Sequence, residues 1–278
     1  MRINHGAVVK RDLVLNCAGY LGFTLIEMMI AILVSLFLLV MVSEVVFSMK
    51  KMVIEQDSLA KTESQALQVM RYLNQTVSYA GLIGCFNVDR QESVINHVVT
   101  EQGALTGVSV LVNDHAALSV TLGYPLQTIA EPMTNNAEII VQQSTGFYKN
   151  DVVVIADCSR AEVDKIEAIR KIINKQAYKI TLQQPLDYHY QPYATIAVLH
   201  HYRFFTRSPY YDKHSSALFM AEDHGQDQEL VPDVNHLTFR MLPDNQRPRA
   251  VAVDFTISIP GQHQESVWQF VIPLLERL

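Results

Sequence analysis

An uninterrupted apolar run near the N-terminus is the clearest pattern in the chain. The fifteen residues Met28–Val42 contain a single polar side chain, Ser35. With its flanks the run is long enough to cross a bilayer core, which takes about 20 mostly apolar residues. No glycine or proline, the residues that break helices, occurs from residue 23 to residue 80. We therefore predict an N-terminal helix over residues 23–80, with a transmembrane segment over residues 25–47.

A weaker apolar stripe continues along the predicted helix beyond the membrane segment. Ten positions alternate in spacing between three and four residues, and eight of them are apolar: Met49, Met52, Gln56, Leu59, Glu63, Ala66, Met70, Leu73, Val77 and Ala80. The stripe predicts a face that packs on the folded domain or on neighbouring subunits, and on the domain for its C-terminal half. Gly81 and Gly84 supply a stop signal.

After Cys85 the pattern changes to short runs rich in β-branched and aromatic residues, separated by polar turns. Residues 166–173 fit either a short helix or a strand. The pattern predicts an α+β fold, in which the long helix packs on a mostly antiparallel β-sheet domain over residues 81–278. The predicted strands are Ser93–Thr100, Val108–Asn113, Leu118–Gly123, Glu138–Gln142, Val152–Ala156, Tyr178–Leu182, Thr195–Phe205, Ala217–Ala221, Leu237–Met241, Val251–Ile259 and Val267–Ile272.

The net charge and the motifs indicate which classes of function to expect. The formal net charge is −6, which argues against nucleic-acid binding through a broad basic face. The sequence contains no H-E-x-x-H, G-x-S-x-G, P-loop or dinucleotide fingerprint. We predict that the protein is not an enzyme and uses no cofactor.

Two stretches contain residue types that can bind metal ions. His200 and His201 are neighbours in a predicted strand, where successive side chains point to opposite faces, so they do not converge on one ion. The loop Asp223–Glu229 places three acids at alternate positions around Gly225. It fits either a calcium-binding loop or a polar hairpin turn, and the turn is favoured. We predict no metal site.

Two groups of tyrosines occur in predicted loops. One lies within Tyr188–Tyr193 and the other is Tyr210-Tyr211. They fit either an interaction surface or partly buried aromatic side chains that flank strands.

One acid, Glu27, lies at the start of the apolar run, where an ionised side chain is costly and often functional. It could also be a hydrated residue at the membrane edge. The sequence Gly22-Phe23-Thr24-Leu25-Ile26-Glu27 resembles the signal of class III (type IV) prepilins, with Gly, then Phe or Met, and Glu at the fifth mature position. The resemblance implies a leader over residues 1–22, cleavage after Gly22 by a prepilin peptidase, and N-methylation of Phe23.

Later segments resemble minor pilins of the PilW family. The similar segments occur in order along the chain: Ser78–Cys85 at the end of the helix, Asp151–Ala161, Gln228–Val234 and Arg249–Val253. The resemblance implies a type IV pilin-like fold and a structural role in priming fibre assembly and forming the tip complex. A minor pseudopilin of a type II secretion system, similar to GspJ, is the main alternative. A membrane-anchored adhesin or enzyme is a more remote one.

The resemblance also implies partners and a location. The partners are other minor pilins, the major pilin, a tip adhesin, the prepilin peptidase and the inner membrane. The β-rich domain would be periplasmic before assembly and at the pilus tip afterwards. Lys and Arg residues flank the apolar run almost equally, so the orientation rests on the prepilin signal rather than on charge. The amine of a neighbouring subunit is the partner implied for Glu27.

The predicted compartment affects whether the cysteines are expected to form a disulfide. Cys17 lies in the predicted leader, which leaves Cys85 and Cys158 as a pair outside the inner membrane. A disulfide between them is favoured in that compartment. Two buried free thiols are the alternative.

Overall fold

The computed structural model describes residues 24–88, 94–98, 106–112, 116–211, 215–222, 225–243, 248–259 and 264–275. One α-helix, α1, spans Leu25–Val77. The chain divides within this helix into two compact units, one that ends at Gln56 and one that begins at Asp57. The predicted helix is confirmed, although it ends three residues earlier than expected, before Gly81, whose φ is +69°.

The first unit is the N-terminal part of α1. Every large apolar side chain in it, from Leu25 to Ile54, is exposed. By length and composition α1 can cross a membrane, and none of its most apolar stretch is buried. A helix that presents apolar side chains on all its faces needs lipid or protein around it. The N-terminal helix therefore suggests membrane anchoring.

The C-terminal part of α1, from Asp57, belongs to the second unit and packs on it with one face. The predicted packing is confirmed there, and it includes Ala66, Leu73 and Val77 from the predicted stripe. The buried residues of the helix are Thr62, Gln65, Ala66, Val69, Leu73 and Val77.

One turn earlier the predicted stripe does not pack on the second unit. Leu59 and Glu63 are exposed, and the polar residues Thr62 and Gln65 take their place on the packed face. Thr62 donates its hydroxyl to the carbonyl oxygen of Ser58 at 2.9 Å. The Gln65 amide donates to Asp233 Oδ2 at 3.3 Å. These hydrogen bonds offset part of the cost of burying the two polar side chains, because Gln65 Oε1 is buried without a hydrogen-bond partner among the described residues.

Fifteen strands occur among the described residues: β1 Leu82–Ile83, β2 Phe86–Asn87, β3 Val94–Asn96, β4 Val108–Val112, β5 Ala116–Thr128, β6 Glu138–Val141, β7 Val152–Ala156, β8 Ala161–Ile172, β9 Ala177–Leu182, β10 Thr195–Arg207, β11 Ala217–Glu222, β12 Gln228–Pro232, β13 Val234–Leu242, β14 Ala250–Ser258 and β15 Glu265–Pro273. The α+β class is confirmed. The ambiguous segment 166–173 is part of the long strand β8, and strands β1, β2 and β12 were not predicted.

β10 is the strand that connects the two halves of the largest sheet. Its first residues, Thr195–Val198, pair with β7, and its last, Tyr202–Arg207, pair with β11. β5 pairs along the other edge of β10, and β4 pairs with β5. From β7 the sheet continues through β8 and β9 to β6, and from β11 it continues to β12. These pairs are antiparallel, whereas β3 joins β8 in parallel.

The second unit has more than one hydrophobic core. In the main core the C-terminal part of α1 meets β5, β10, β11 and a separate three-stranded sheet, β13-β14-β15. Leu73, Phe204 and Phe255 are buried there. The two other cores lie on opposite faces of β7, because Val153 and Ile155 belong to one and Val154 and Ala156 to the other. A strand covered on both faces reads as a continuous apolar run, as β7 does.

We predict that the packed face of α1 holds much of the stability of the second unit. Leu73→Ala removes a fully buried side chain and should lower the free energy of unfolding by about 2–5 kcal/mol. Leu67→Ala, at a position 53% exposed on the same helix, should change it by less than about 0.5 kcal/mol. Denaturant unfolding of the detergent-solubilised chain measures both. Equal effects would contradict the assigned face.

Candidate functional site

The start of α1 holds the first predicted functional residue. Gly22 and Phe23 lie outside the described residues, and Glu27 lies in the first turn of the helix. Glu27 Oε2 accepts hydrogen bonds from the Thr24 amide at 2.9 Å and from the Thr24 hydroxyl at 3.0 Å. The Glu27 amide donates to Thr24 Oγ1 at 3.4 Å. Thr and Glu three residues apart thus form a capping box, which satisfies backbone donors at the helix N-terminus.

The capping box gives Glu27 a structural role at the start of α1, in addition to its predicted role in assembly. The signal was available, because a Thr followed three residues later by a Glu before an apolar run is a recognisable pattern. Glu27 is exposed in the single chain. Its carboxylate is therefore held in place at the helix start while one side remains accessible to another group.

Cys85 and Cys158 form a disulfide, as the sequence analysis favoured, and the alternative of two free thiols is wrong. The bond joins the turn of the β1-β2 hairpin to the turn between β7 and β8. Gly84 precedes Cys85 in that hairpin turn with a φ of +62°, a conformation that favours glycine. A bond that closes a loop of 73 residues stabilises the fold by about 4 kcal/mol on the chain-entropy model.

The turn that carries Cys158 is ordered by Asp157. Its Oδ1 accepts from the Ser159 amide and hydroxyl, each at 2.7 Å, and from the Arg160 amide at 2.9 Å. Burial alone would raise the pKa of Asp157, but the hydrogen bonds from Ser159 and Arg160 and the charge of Arg160 hold it below its ordinary value of 3.8. The Arg160 guanidinium also lies 4.2 Å from the centre of the Tyr188 ring.

Two carboxylates are buried on β8 just beyond this turn. Glu162 is completely buried and Asp164 is 1% exposed, and their spacing places both on the same face of the strand. Glu162 accepts hydrogen bonds from the amides of Asp187 at 2.7 Å and Tyr188 at 3.1 Å. Asp164 Oδ2 accepts one from the Gln184 amide at 2.8 Å. The two acids thus fix the segment that follows β9.

A histidine directly after β3 completes this polar cluster. His97 Nε2 lies 2.7 Å from Glu162 Oε2, and the His97 amide donates to the Val163 carbonyl at 3.0 Å. The ligand atoms of His97, Glu162 and Asp187 all lie within 4.8 Å of one another, which no other three His, Cys, Asp or Glu side chains achieve in the part of the chain that the structure describes. Sequence reasoning missed the cluster, because its members are distant in the chain and share no motif.

Tyr190 lies beside the same cluster and is almost completely buried. Burial raises the pKa of its phenol well above the ordinary value, and the negative charges of Glu162 and Asp157 add to this effect. The hydroxyl therefore stays protonated. It has no hydrogen-bond partner of good geometry among the described residues.

A shallow apolar groove of about 360 Å³ lies where α1 ends against β5. Tyr79, Leu82, Leu122, Tyr124 and Tyr202 contribute to its walls. Among the described residues that line the groove, the titratable groups are the phenols of Tyr79, Tyr124 and Tyr202.

The remaining sequence candidates have ordinary structural contacts. His200 lies 2.7 Å from Glu222 Oε1, and His201 lies 2.8 Å from the Thr121 hydroxyl, so the two imidazoles do not share a ligand. In the loop Asp223–Glu229, which is predicted to be a polar turn rather than a calcium site, residues 223 and 224 lie outside the described residues. Among the rest, Asp227 pairs with Arg207.

The hairpin interpretation of this loop fits the strands, since β11 and β12 pair in antiparallel fashion on either side of it. Glu229 lies in β12 and accepts a hydrogen bond from Tyr211 at 2.6 Å. The tyrosines differ in exposure. Tyr190 belongs to a core, whereas Tyr193 and Tyr210 are almost fully exposed.

No known family, characterised protein or solved structure was found to match the chain.

We predict that the Asp157 turn stabilises the fold in a pH-dependent way. A carboxylate with a lowered pKa contributes stability above its unfolded-state pKa and loses it as the pH falls through the folded-state value. Asp157→Asn should lower the free energy of unfolding at neutral pH by up to about 1 kcal/mol, because the side chain is 38% exposed and screened. Unfolding curves from neutral to acidic pH should converge with those of the unmodified chain below the ordinary pKa of 3.8.

Ser159→Ala is the matched control, since it removes one donor and keeps the charge. It should shift the pH dependence toward that of an ordinary aspartate. A difference between Asp157→Asn and the unmodified chain that is constant with pH would contradict the assigned role of the charge.

Proposed function

We propose that the protein is a minor pilin of the type IV pilus, of the PilW type, with a structural role in priming fibre assembly and in the tip complex. The observation that carries the proposal is Glu27. It is the acid at the fifth position after the Gly22-Phe23 junction, and it lies at the start of a long apolar helix that continues into a β-rich unit. No catalytic group is needed for such a role.

The two parts of α1 support an assembly function. The N-terminal part exposes its apolar side chains, and the C-terminal part is fixed to the β-rich unit by residues such as Val69 and Leu73. A subunit built this way is stored in the inner membrane, with its β-rich domain in the periplasm. It enters a fibre when the helices of neighbouring pilins replace the lipid. Other minor pilins, the major pilin and a tip adhesin are the proposed partners.

Glu27 supplies the specificity that apolar helices lack. Leader removal by the prepilin peptidase creates a charged amine at Phe23, and the joining of a subunit moves Glu27 among apolar helices. An unpaired carboxylate there is strongly unfavourable, and the amine of a neighbouring subunit offsets that cost. The pairing favours one axial register over the many registers available to uniform apolar surfaces.

The capping box offers a competing account of the same residue. Under that account Glu27 serves only to begin α1 with Thr24, and its charge has no partner outside the chain. Replacing Glu27 by glutamine distinguishes the two accounts. Glutamine is also found at the last position of capping boxes, but it carries no charge.

We predict that Glu27→Gln, which preserves the cap and removes the charge, reduces surface pili and co-purification of other minor pilins. Thr24→Ala, which weakens the cap and preserves the charge, should leave both close to normal. Glu63→Gln, at an exposed position farther along α1, is the control for loss of one acid. Pilus counts and co-purification measure the effect, and intact mass verifies cleavage. Normal assembly with Glu27→Gln would refute the charge pairing.

We also predict that the chain is processed after Gly22. Intact-mass analysis of protein from cells with an active prepilin peptidase should give a chain that begins at methylated Phe23. Gly22→Asp should block this cleavage, because the side chain fills the junction. Gly19→Asp, three residues upstream, should still be cleaved. A mature protein that retains residues 1–22 would exclude the proposed class.

A further inference from the structure

The cluster around Glu162 contains more buried negative charge than the described residues balance. Glu162 and Asp164 are both almost completely buried on one face of β8. His97 is the only basic side chain within 4 Å of Glu162 among the described residues, and no described basic side chain pairs with Asp164. Asp164 Oδ1 also has no hydrogen-bond partner among those residues. Buried carboxylates are normally paired with a cation or fully hydrogen-bonded.

The donor atoms converge on one place. His97 Nε2 and Glu162 Oε2 are 2.7 Å apart, and an Asp187 carboxylate oxygen lies within 4.8 Å of both. Zinc bound at about 2.0–2.2 Å by nitrogen and oxygen ligands in tetrahedral geometry separates neighbouring ligand atoms by roughly 3.3 Å. The His97–Glu162 pair would therefore open by about half an ångström, and the Asp187 carboxylate would move inward by up to about 1.5 Å, to hold the ion.

A second histidine–glutamate pair in the protein serves as a comparison for the His97–Glu162 pair. His200 Nδ1 and Glu222 Oε1 are also 2.7 Å apart, but that pair has no third ligand within the same reach among the described residues. A histidine beside a glutamate is thus found twice, and only the pair on β8 is extended by another carboxylate.

The Tyr190 hydroxyl is a second observation that points to a ligand at this cluster. Only 2% of the surface of Tyr190 is exposed. The Glu162 carboxylate raises the pKa of this phenol through its charge and through a side-chain hydrogen bond, but the geometry of that bond is too poor for the hydroxyl to be well partnered among the described residues. A buried hydroxyl without a partner is uncommon in a folded protein. A water molecule on a bound ion would supply one.

We propose that His97, Glu162 and Asp187 bind one first-row divalent cation, with zinc the preferred ion. One imidazole and two carboxylates suit zinc better than calcium or magnesium, which prefer oxygen ligands alone. Three protein ligands leave the fourth position to water. On binding, the neutral imidazole carries its proton on Nδ1, so that the Nε2 lone pair and Glu162 Oε2 each form a bond to the ion.

The surroundings of the cluster fit the support that metal ligands usually have. The amides of Asp187 and Tyr188 donate to Glu162 and fix the direction of its carboxylate. The His97 backbone is held to β8 by the pairing of β3. Asp187 is exposed, so an ion can enter from solvent. The ion would join β3, β8 and the segment after β9, which are distant in sequence.

The test uses the full chain without an affinity tag, purified in detergent and stripped with a chelator. Titration calorimetry with zinc chloride, and metal analysis after dialysis, should give one ion per chain and a raised unfolding temperature. Asp187→Asn keeps the backbone donor and the exposed site, so it should fold normally. It should weaken zinc binding by more than about tenfold. His97→Gln should have the same effect.

His200→Gln is the matched control, since it disrupts the two-residue pair and should leave zinc binding unchanged. Circular dichroism and the intact Cys85–Cys158 bond report that each variant is folded. The absence of saturable zinc binding at micromolar concentrations would overturn the proposal. So would zinc binding that survives either Asp187→Asn or His97→Gln, or that is lost with His200→Gln. The test does not depend on the proposed pilus role, because zinc binding is measured on the isolated protein.

Discussion

Burial of the apolar surface of α1 is the constraint on which the rest of the structure depends. The same helix is covered in two different ways along its length. Leu73 is covered by the protein's own strands, whereas Leu33 is 70% exposed and needs lipid or other helices. The hydrophobic effect therefore acts on the two parts through different partners, and one continuous helix carries both. The β-rich unit accordingly packs on one face of the part of α1 after Gln56.

The β-rich unit is held together by long-range connections. β10 pairs with strands on both sides and contributes Phe204 to one core and Ile196 to another. The Cys85–Cys158 bond then ties the chain just after α1 to the turn before β8. The segment that ends the helix and the strand that carries the buried acids are thus fixed to each other by a covalent bond.

The sequence was informative where structure follows local patterns. The apolar run, the absence of helix breakers and the β-branched runs predict α1 and most strands, because each pattern lies within a few consecutive residues. The residues on the packed face of α1 were predicted less accurately than the helix itself. Gln65 is buried and donates a hydrogen bond to Asp233, 168 residues away, a contact that no local pattern signals. For the same reason the cluster of His97 and Glu162, 65 residues apart, left no recognisable pattern.

Glu27 and Glu162 break their local patterns in a related way. Each carboxylate stands in or beside an apolar segment, and each is oriented by hydrogen bonds from backbone amides, of Thr24 in one case and Asp187 in the other. Amide donors fix the direction of a carboxylate, but a full balance of its charge requires a cation. On the proposals made above, that cation comes from outside the chain in both cases. It is the amine of a neighbouring subunit for Glu27 and a bound metal ion for Glu162. A carboxylate that is already oriented loses little further freedom when its partner binds, so both sites are prepared for association before the partner arrives.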